Sequence, residues 1–563
     1  MSMNRDCREG LLPSRIKAGR TAARQEPRPT GARFTERNGV GRRFAAFVGF
    51  AICGTAAWGA GAAESGWAGP GFGRASCYGI QVVDQETGRG VPLVELETVH
   101  HVGFVTDNAG RVALAEPGLL DRPVFFHVRS HGYEFPKDGF GYSGVTLTTI
   151  RGGNAVLRIQ RRNVAERLYR ITGEGLYRDS VWLGEATPLT EPLGGGQVVG
   201  QDSALVAQYR GRLHWFWGDT SRLRYPLGHF WMAGATSDLP GRGGLDPDQG
   251  IELRYFVDAE GFSRPVCRLG VEKGLIWSDA FLVVLDETGR ERLVCHYAHM
   301  ESLDRMLDHG LAIWNDDRAE FERARELDLA DRRVFPGQAH PVRHRDGDGD
   351  FFYMGEVFPT VRVRADLASV LDPRRRETFT CVAAAPDGSL RVKRDAAGRI
   401  RHEWQAGGVP LDPGIERDLV ARGELQPGEA RFLPADVETG KPVLMHRGTV
   451  RWNAFRRRWV MIATETGGTS PLGEVWYAEA EAMMGPWRRA RKIVTHDRYS
   501  FYNPVHHEFF DQDGGRRIYF EGTYATTFSG RAEATPRYDY NQIMYRLDLA
   551  DPRLRAAQAE AAN

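Results

Sequence analysis

The chain has 563 residues, 42% apolar and 10% aromatic, enough to bury large cores and to exclude global disorder. Its 74 Lys plus Arg stand against 73 Asp plus Glu, so a formal charge of +1 excludes a polycation built for nucleic acid. Glycine, at 66 residues, is about 12% of the chain against roughly 7% on average, which points to many tight turns joining short strands.

The near-neutral total conceals a basic front end. Residues 1–43 hold eleven Lys/Arg and four Asp/Glu, a net of +7 that leaves −6 on the rest. Next comes the uncharged run FAAFVGFAICGTAAW, then small residues suited to cleavage near Ala62 or Ala63. Basic, apolar and small segments in that order are the pattern of an export signal, so residues 1–63 are expected to be a leader and signal peptide. Fifteen to twenty residues rich in Gly and Ala are marginal for crossing a bilayer, and no stable membrane span is expected. An exported protein is therefore expected, whether periplasmic, cell-surface or extracellular. Of six cysteines, Cys77, Cys267, Cys295 and Cys381 lie in the expected mature chain. Four allow three pairings and none has the Cys-x-x-Cys spacing of zinc or redox motifs; buried thiols are slightly favoured over disulfides.

Residues 64–76 read as a Gly-rich linker. From 77 to 162 the runs YGIQVVD, HVGFVTDNAGRVAL, PVFFHVRSHGYEF and NAVLRIQR are separated by turn signals such as Asp107-Asn108-Ala109-Gly110, which predicts a small β-sandwich. The runs VDQETGRGVP and TDNAG resemble transthyretin-like and carboxypeptidase-regulatory-like modules, which implies an accessory role.

Between 165 and 554 one unit recurs divergently five times: an apolar strand, a polar turn, an aromatic-rich strand, a loop, a third strand and an acidic turn. The units begin at QDSALVAQYRGRLHWFWGDT, WSDAFLVVLDETGRERLVCHYAHM, QAHPVRHRDGDGDFFYMGE, HRGTVRWNAFRRRWVMIATE and YNPVHHEFFDQDGGRRIYFEGTY. A single unit leaves a sheet face uncovered, and a ring of stacked sheets covers it. The fold class expected is therefore all-β, a five-bladed β-propeller preceded by the sandwich. A strand within RLYRITGEGLYRDSVWLG is expected to complete the last blade. The irregular segment of about 372–441 reads as an insertion in the third blade, 555–563 as a tail, and AEFERARELDLA as a helix-compatible, solvent-covered part of the second blade's outer region.

In such a ring the starts of first strands and the ends of second strands converge on one mouth. First-strand starts supply Asp202, Asp279, His340, Arg451 and His506; second-strand ends supply Asp219, His299, Glu356, Glu465 and Glu521, with Glu474 opening a third strand nearby. Trp217, Trp277, Tyr297, Trp452 and Tyr524 add aromatic faces. Sugar chemistry needs such a mouth, because splitting a glycosidic bond takes one protonated carboxyl and one carboxylate, with aromatic faces to pack on sugar C–H surfaces. Asp202, Asp279, Glu465 and Glu521 are the candidate catalytic residues. Asp219, Trp217, Trp277, His299, His340, Glu356, Arg451, Glu474, His506 and Tyr524 are candidate substrate contacts. No cofactor or metal site is expected: Asp346-Gly347-Asp348-Gly349-Asp350 lacks the rest of a calcium loop and reads as a hairpin turn.

The five-unit pattern, Asp202 at the start of the first blade and the acidic turns ATSD, IWNDD, VRVRAD and YAEAEAMMGPW resemble the five-bladed propeller glycoside hydrolases of the arabinanase and β-xylosidase families. That resemblance implies Asp202 as the base and, loosely, Asp279 as the Asp that tunes the acid. The family's Glu-Gly-Pro acid has no match, which leaves Glu465 and Glu521 as acid candidates from geometry alone. Two readings follow: an exported glycoside hydrolase acting on polysaccharide or oligosaccharide, and a non-catalytic glycan-binding or cell-surface propeller. A propeller phosphatase or lactonase ranks behind both because no clustered metal-ligand set can be assembled.

Overall fold

The computed structural model describes residues 73–558 except 303 and 532. The expected leader and signal, most of the linker and the last five residues lie outside the described residues. Among the described residues no helix is long and apolar enough to cross a membrane.

Two four-stranded sheets come first. One has the order Arg111–Leu114, Tyr78–Asp84, Asn154–Arg161 and Tyr133–Glu134; the other has Gly103–Val105, Glu95–Thr98, Pro123–Arg129 and Gly144–Thr148. Alternating apolar side chains such as Ile80, Val82, Leu96, Phe126 and Val128 fill the space between them.

Five sheets follow in chain order, antiparallel throughout except where Ala435–Asp436 pairs parallel with Arg489–Val494. Sheet 1 holds Leu205–Tyr209, Arg212–Trp217, Ala233–Ser237 and Arg254–Tyr255, and sheet 2 holds Leu275–Leu285, Glu291–Ser302, Arg305–Asn315 and Glu320–Leu327. Sheet 3 holds Val342–Asp346, Gly349–Met354, Val361–Arg364, Glu377–Thr380 and Glu403–Ala406. Sheet 4 runs from Met445–Asn453 through Arg458–Glu465, Val475–Ala480 and Arg489–Val494 to the short Ala435–Asp436. Sheet 5 holds Ser500–His506, Arg517–Ala525, Asn541–Asp548 and, at its outer edge, Glu166–Arg170 from the start of the region.

The contacts between sheets form a cycle. Phe216 of sheet 1 stacks on Phe281 of sheet 2 with ring centres 4.4 Å apart. Ala280 N–H donates to the Ala339 carbonyl ahead of sheet 3 at 3.1 Å, and Gly448 N–H of sheet 4 donates to the Glu356 carbonyl at 3.1 Å. His506 N–H of sheet 5 donates to Thr449 Oγ1 at 3.0 Å, and Ser203 N–H returns to Thr523 Oγ1 at 2.9 Å. Each sheet thus covers the next, and an all-β propeller results. The fifth is completed by antiparallel pairing of Asn541–Asp548 with Glu166–Arg170, a closure that ties the two ends of the region together.

Within AEFERARELDLA the outer position in sheet 2 is as expected, but Glu320–Leu327 is a strand rather than a helix, pairing with Arg305–Asn315 as the sheet's outer strand. Within 372–441, two strands extend sheet 3, one joins sheet 4, and the remainder forms a hairpin of Val382–Ala384 with Leu390–Val392 and the helix Pro413–Ala421. Asp346 pairs with Gly349 across a tight turn, so the Asp-Gly run is a hairpin tip. The four described cysteines are buried free thiols.

Candidate functional site

A cavity of about 710 Å³ opens where sheets 2, 3 and 4 meet. Trp277, Asp279 and His296 enter from sheet 2, Gly337 and Gln338 from the segment before sheet 3, Glu356 from the end of its second strand, and His446 and Arg447 from sheet 4. Asp412 and Pro413, at the start of the helix Pro413–Ala421, close one side.

Asp279 reaches the cavity through a defect in its strand. Ala280 has φ of 50°, and the pairing with the next strand shifts between Asp279 and Leu282. Such a bulge re-aims the neighbouring side chain. It also sets Asp279 directly opposite His296, whose Nδ1 lies 3.0 Å from Asp279 Oδ1, while the second carboxylate oxygen accepts from Gln338 N–H at 3.2 Å.

Glu356 follows the strand Gly349–Met354. Its side chain keeps 55% of its exposure and forms a 3.2 Å ion pair with Arg447. Its carboxyl is nevertheless shifted upward, chiefly by the desolvation its recess imposes; Arg447 opposes the shift, and Asp412 and Asp279 add to it. Arg447 also donates to the Gly337 carbonyl, which fixes the guanidinium beside Glu356.

A second acidic group lies toward sheets 1 and 5. Asp202 is half-buried, accepts from Tyr502 O–H at 3.2 Å, and is pushed up to about 7 by burial and then by the charge of Asp219. Asp219 accepts from Trp277 Nε1 at 3.4 Å, so this group reaches the edge of the cavity through that indole. His340 lies between the sheets, where burial and the cations Arg451 and Arg447, together with His507, hold its imidazole well below the usual histidine range.

The remaining candidates require correction. Glu521 is sealed in the core with no exposed surface, 2.5 Å from His507 Nε2, and burial pushes its carboxyl up to about 8. Trp217 stacks on Trp215 inside the core, and Tyr524 stacks on Tyr499 and bonds to His131 of the sandwich. Neither presents a face to solvent. Glu474 is buried and accepts from Thr469, and His506 is buried against Asp511 at 2.8 Å. Arg451 is spent on the carbonyls of His340 and Val450. His299 is pinned between Asp308 and the Lys273 carbonyl outside the cavity. Glu465 does not line the cavity either; it lies beside Glu474 and Lys492, and partial burial raises its carboxyl. Strand-end position located these residues, but strand faces alternate and half of them turn inward.

The structure therefore brings together Trp277, Asp279 and Glu356, and adds four residues that sequence reading passed over: Arg447, His296, Gln338 and Asp412. Arg447 lies four residues before Arg451, the strand-start position expected in the fourth unit, whereas Gln338 acts through its backbone and leaves no side-chain signature. Among the described residues no group of three His, Cys, Asp or Glu is placed to hold a metal ion.

No family model matches the sequence, and no curated protein matches it. Among solved structures, a candidate exo-β-1,3-galactanase from Bifidobacterium bifidum is 9% identical, with 69% of this chain and 94% of that one covered and a TM-score of 0.33. The exo-β-1,3-galactanase of Phanerochaete chrysosporium, crystallised with galactose, is 10% identical over 65% and 64% of the two chains, with a TM-score of 0.31. The endo-arabinase of Bacteroides thetaiotaomicron is 8% identical over 63% and 97%, with a TM-score of 0.29. At such distances, residue roles in this chain rest on its own geometry.

Proposed function

We propose that the chain is an exported carbohydrate-active protein, a glycoside hydrolase whose five sheets are the blades of a five-bladed propeller and whose substrate occupies the cavity between sheets 2, 3 and 4. The observation that carries this reading is the convergence of two carboxyls from different sheets, Asp279 and Glu356, on one 710 Å³ cavity edged by an indole and a guanidinium. Glu356 is the general acid: desolvation in its recess shifts its carboxyl upward, toward the form that can give a proton to the leaving oxygen, and its exposure lets it reach a substrate. Asp279 is the second carboxylate, oriented by His296 and Gln338 N–H to activate water or attack the anomeric carbon. Trp277 packs against a sugar face.

Incubation with a panel of polysaccharides and oligosaccharides tests this. Reducing sugar should be released by the wild type and lost in Glu356→Gln and Asp279→Asn. Because an activated aryl leaving group needs no protonation, Glu356→Gln should regain turnover on aryl glycosides while Asp279→Asn should not. Oligosaccharide binding without any release would identify a receptor and overturn hydrolysis.

A further inference from the structure

Three hydrogen bonds run in series from the cavity into sheet 2. Asp279 Oδ1 lies 3.0 Å from His296 Nδ1, His296 Nε2 lies 3.0 Å from His309 Nδ1, and His309 Nε2 lies 2.7 Å from the Asp328 carbonyl oxygen. The register explains the series. Asp279 faces His296 across one strand pair, and His296 faces Leu311 across the next, so His309 falls two residues along on the same side.

Each bond must hold one proton. A carbonyl only accepts, so the terminal proton sits on His309 Nε2, and a neutral His309 then presents Nδ1 as an acceptor to His296 Nε2–H. Neutral His296 is left with a bare Nδ1 facing a carboxylate oxygen, lone pair against lone pair. Two neutral imidazoles and a carboxylate bring two protons to three bonds. We infer that this chain carries a third proton, located on His296, so that Asp279 is paired with a buried imidazolium and His296 is its positioning residue.

The surroundings place that proton. His309 is disfavoured as the cation, because burial lowers it and His296 stands beside it. Gln338 N–H donates to Asp279 Oδ2 and so favours the carboxylate over the acid. Phe335 stacks on His296 with ring centres 4.7 Å apart, offering the negative face of its ring to a cation. Arg376 covers that ring at 3.8 Å and opposes a second positive charge, but Asp331 and Asp372 face it. Arg447 lines the same cavity as a further cation, held 3.2 Å from the Glu356 carboxyl and on the Gly337 carbonyl.

The role assigned to His296 rests on the hydrolase reading, whereas the proton count does not. Full-length protein labelled with ¹⁵N-histidine, recorded by long-range ¹H–¹⁵N correlation at pH 7, tests it. His296, identified by its loss in His296→Gln, should show both ring nitrogens protonated, and His309 should show the Nε2–H tautomer. In Asp279→Asn the amide supplies the missing proton by donating to Nδ1, so His296 should become neutral with its proton on Nε2. A neutral His296 in the wild type, in either tautomer, would overturn the inference. A doubly protonated His296 in a protein that cleaves no glycan would uphold the inference and remove the hydrolase reading; cleavage with a neutral His296 would do the reverse.

Discussion

Glu356, just past the second strand of sheet 3, and Glu521, within the second strand of sheet 5, are both raised carboxyls, and desolvation is the leading cause in both. They differ in access. Glu356 keeps half its surface and opens onto a cavity; Glu521 has none and ends against a buried imidazole. A raised carboxyl therefore marks burial as readily as catalysis, and only geometry separates a proton donor from a core hydrogen bond. Asp202 and Asp219 stand between these extremes, half-buried and joined to the cavity through Trp277.

The largest expected effect falls on turnover. Asp279→Asn and Glu356→Gln should each lower kcat by about 10²–10⁴-fold on unactivated substrates. Asp202→Asn should stay within about tenfold of wild type. If Asp202→Asn is as damaging as Asp279→Asn, the two acidic groups form one site and the difference in access between them decides nothing.

The sealed pair should appear in stability instead. The folded chain keeps the Glu521 proton up to about pH 8, whereas the unfolded chain releases it near 4.5. Between those values the unfolded state binds fewer protons, so stability falls as pH rises, by on the order of 4 kcal/mol from this group alone. Asp202, raised to about 7, adds in the same direction. Thermal melts from pH 5 to 8.5 should show the decline, and Glu521→Gln, which keeps a neutral donor to His507, should flatten it. Glu521→Ala should cost about 2–4 kcal/mol at pH 6, because it strands His507 and leaves a cavity.

Ring closure yields the next effect. Leu168 is fully buried in the strand Glu166–Arg170 that completes sheet 5. Leu168→Ala should cost about 2–4 kcal/mol by denaturant unfolding. A loss below about 1 kcal/mol would mean that this strand is dispensable to the ring.

The strands around the ring were readable because apolar and aromatic runs such as Arg212–Trp217 and Arg458–Glu465 recur between polar turns. The outer strand of sheet 2 was not: Glu, Ala, Arg and Leu favour helix, and pairing with Arg305–Asn315 overrides that propensity. At the site, Trp277 and Asp279 were legible from their place at a strand start, and Glu356 from a strand end. His296 was hidden by the bulge. Leu285 faces Glu291 and Leu282 faces Val294, a register that extrapolates to Tyr297 opposite Asp279; the extra residue at Ala280 puts His296 there and turns Tyr297 into the core. Trp217 misled for a simpler reason: it ends a strand as expected but shares the inward face of Trp215.

Trp277 gives the smallest effect and the sharpest division between the two acidic groups. Its ring edges the cavity, while its N–H reaches Asp219. Trp277→Ala should weaken oligosaccharide binding by about 1–2 kcal/mol, roughly five- to thirtyfold in Kd by calorimetry, through lost contact with a sugar face. Trp277→Phe keeps an aromatic face and discards the N–H. If packing is the ring's whole contribution, Phe should restore most of the affinity, and Asp219 is a neighbour rather than a participant. If Phe binds as weakly as Ala, the hydrogen bond to Asp219 carries the effect, and the cavity extends through it to Asp202.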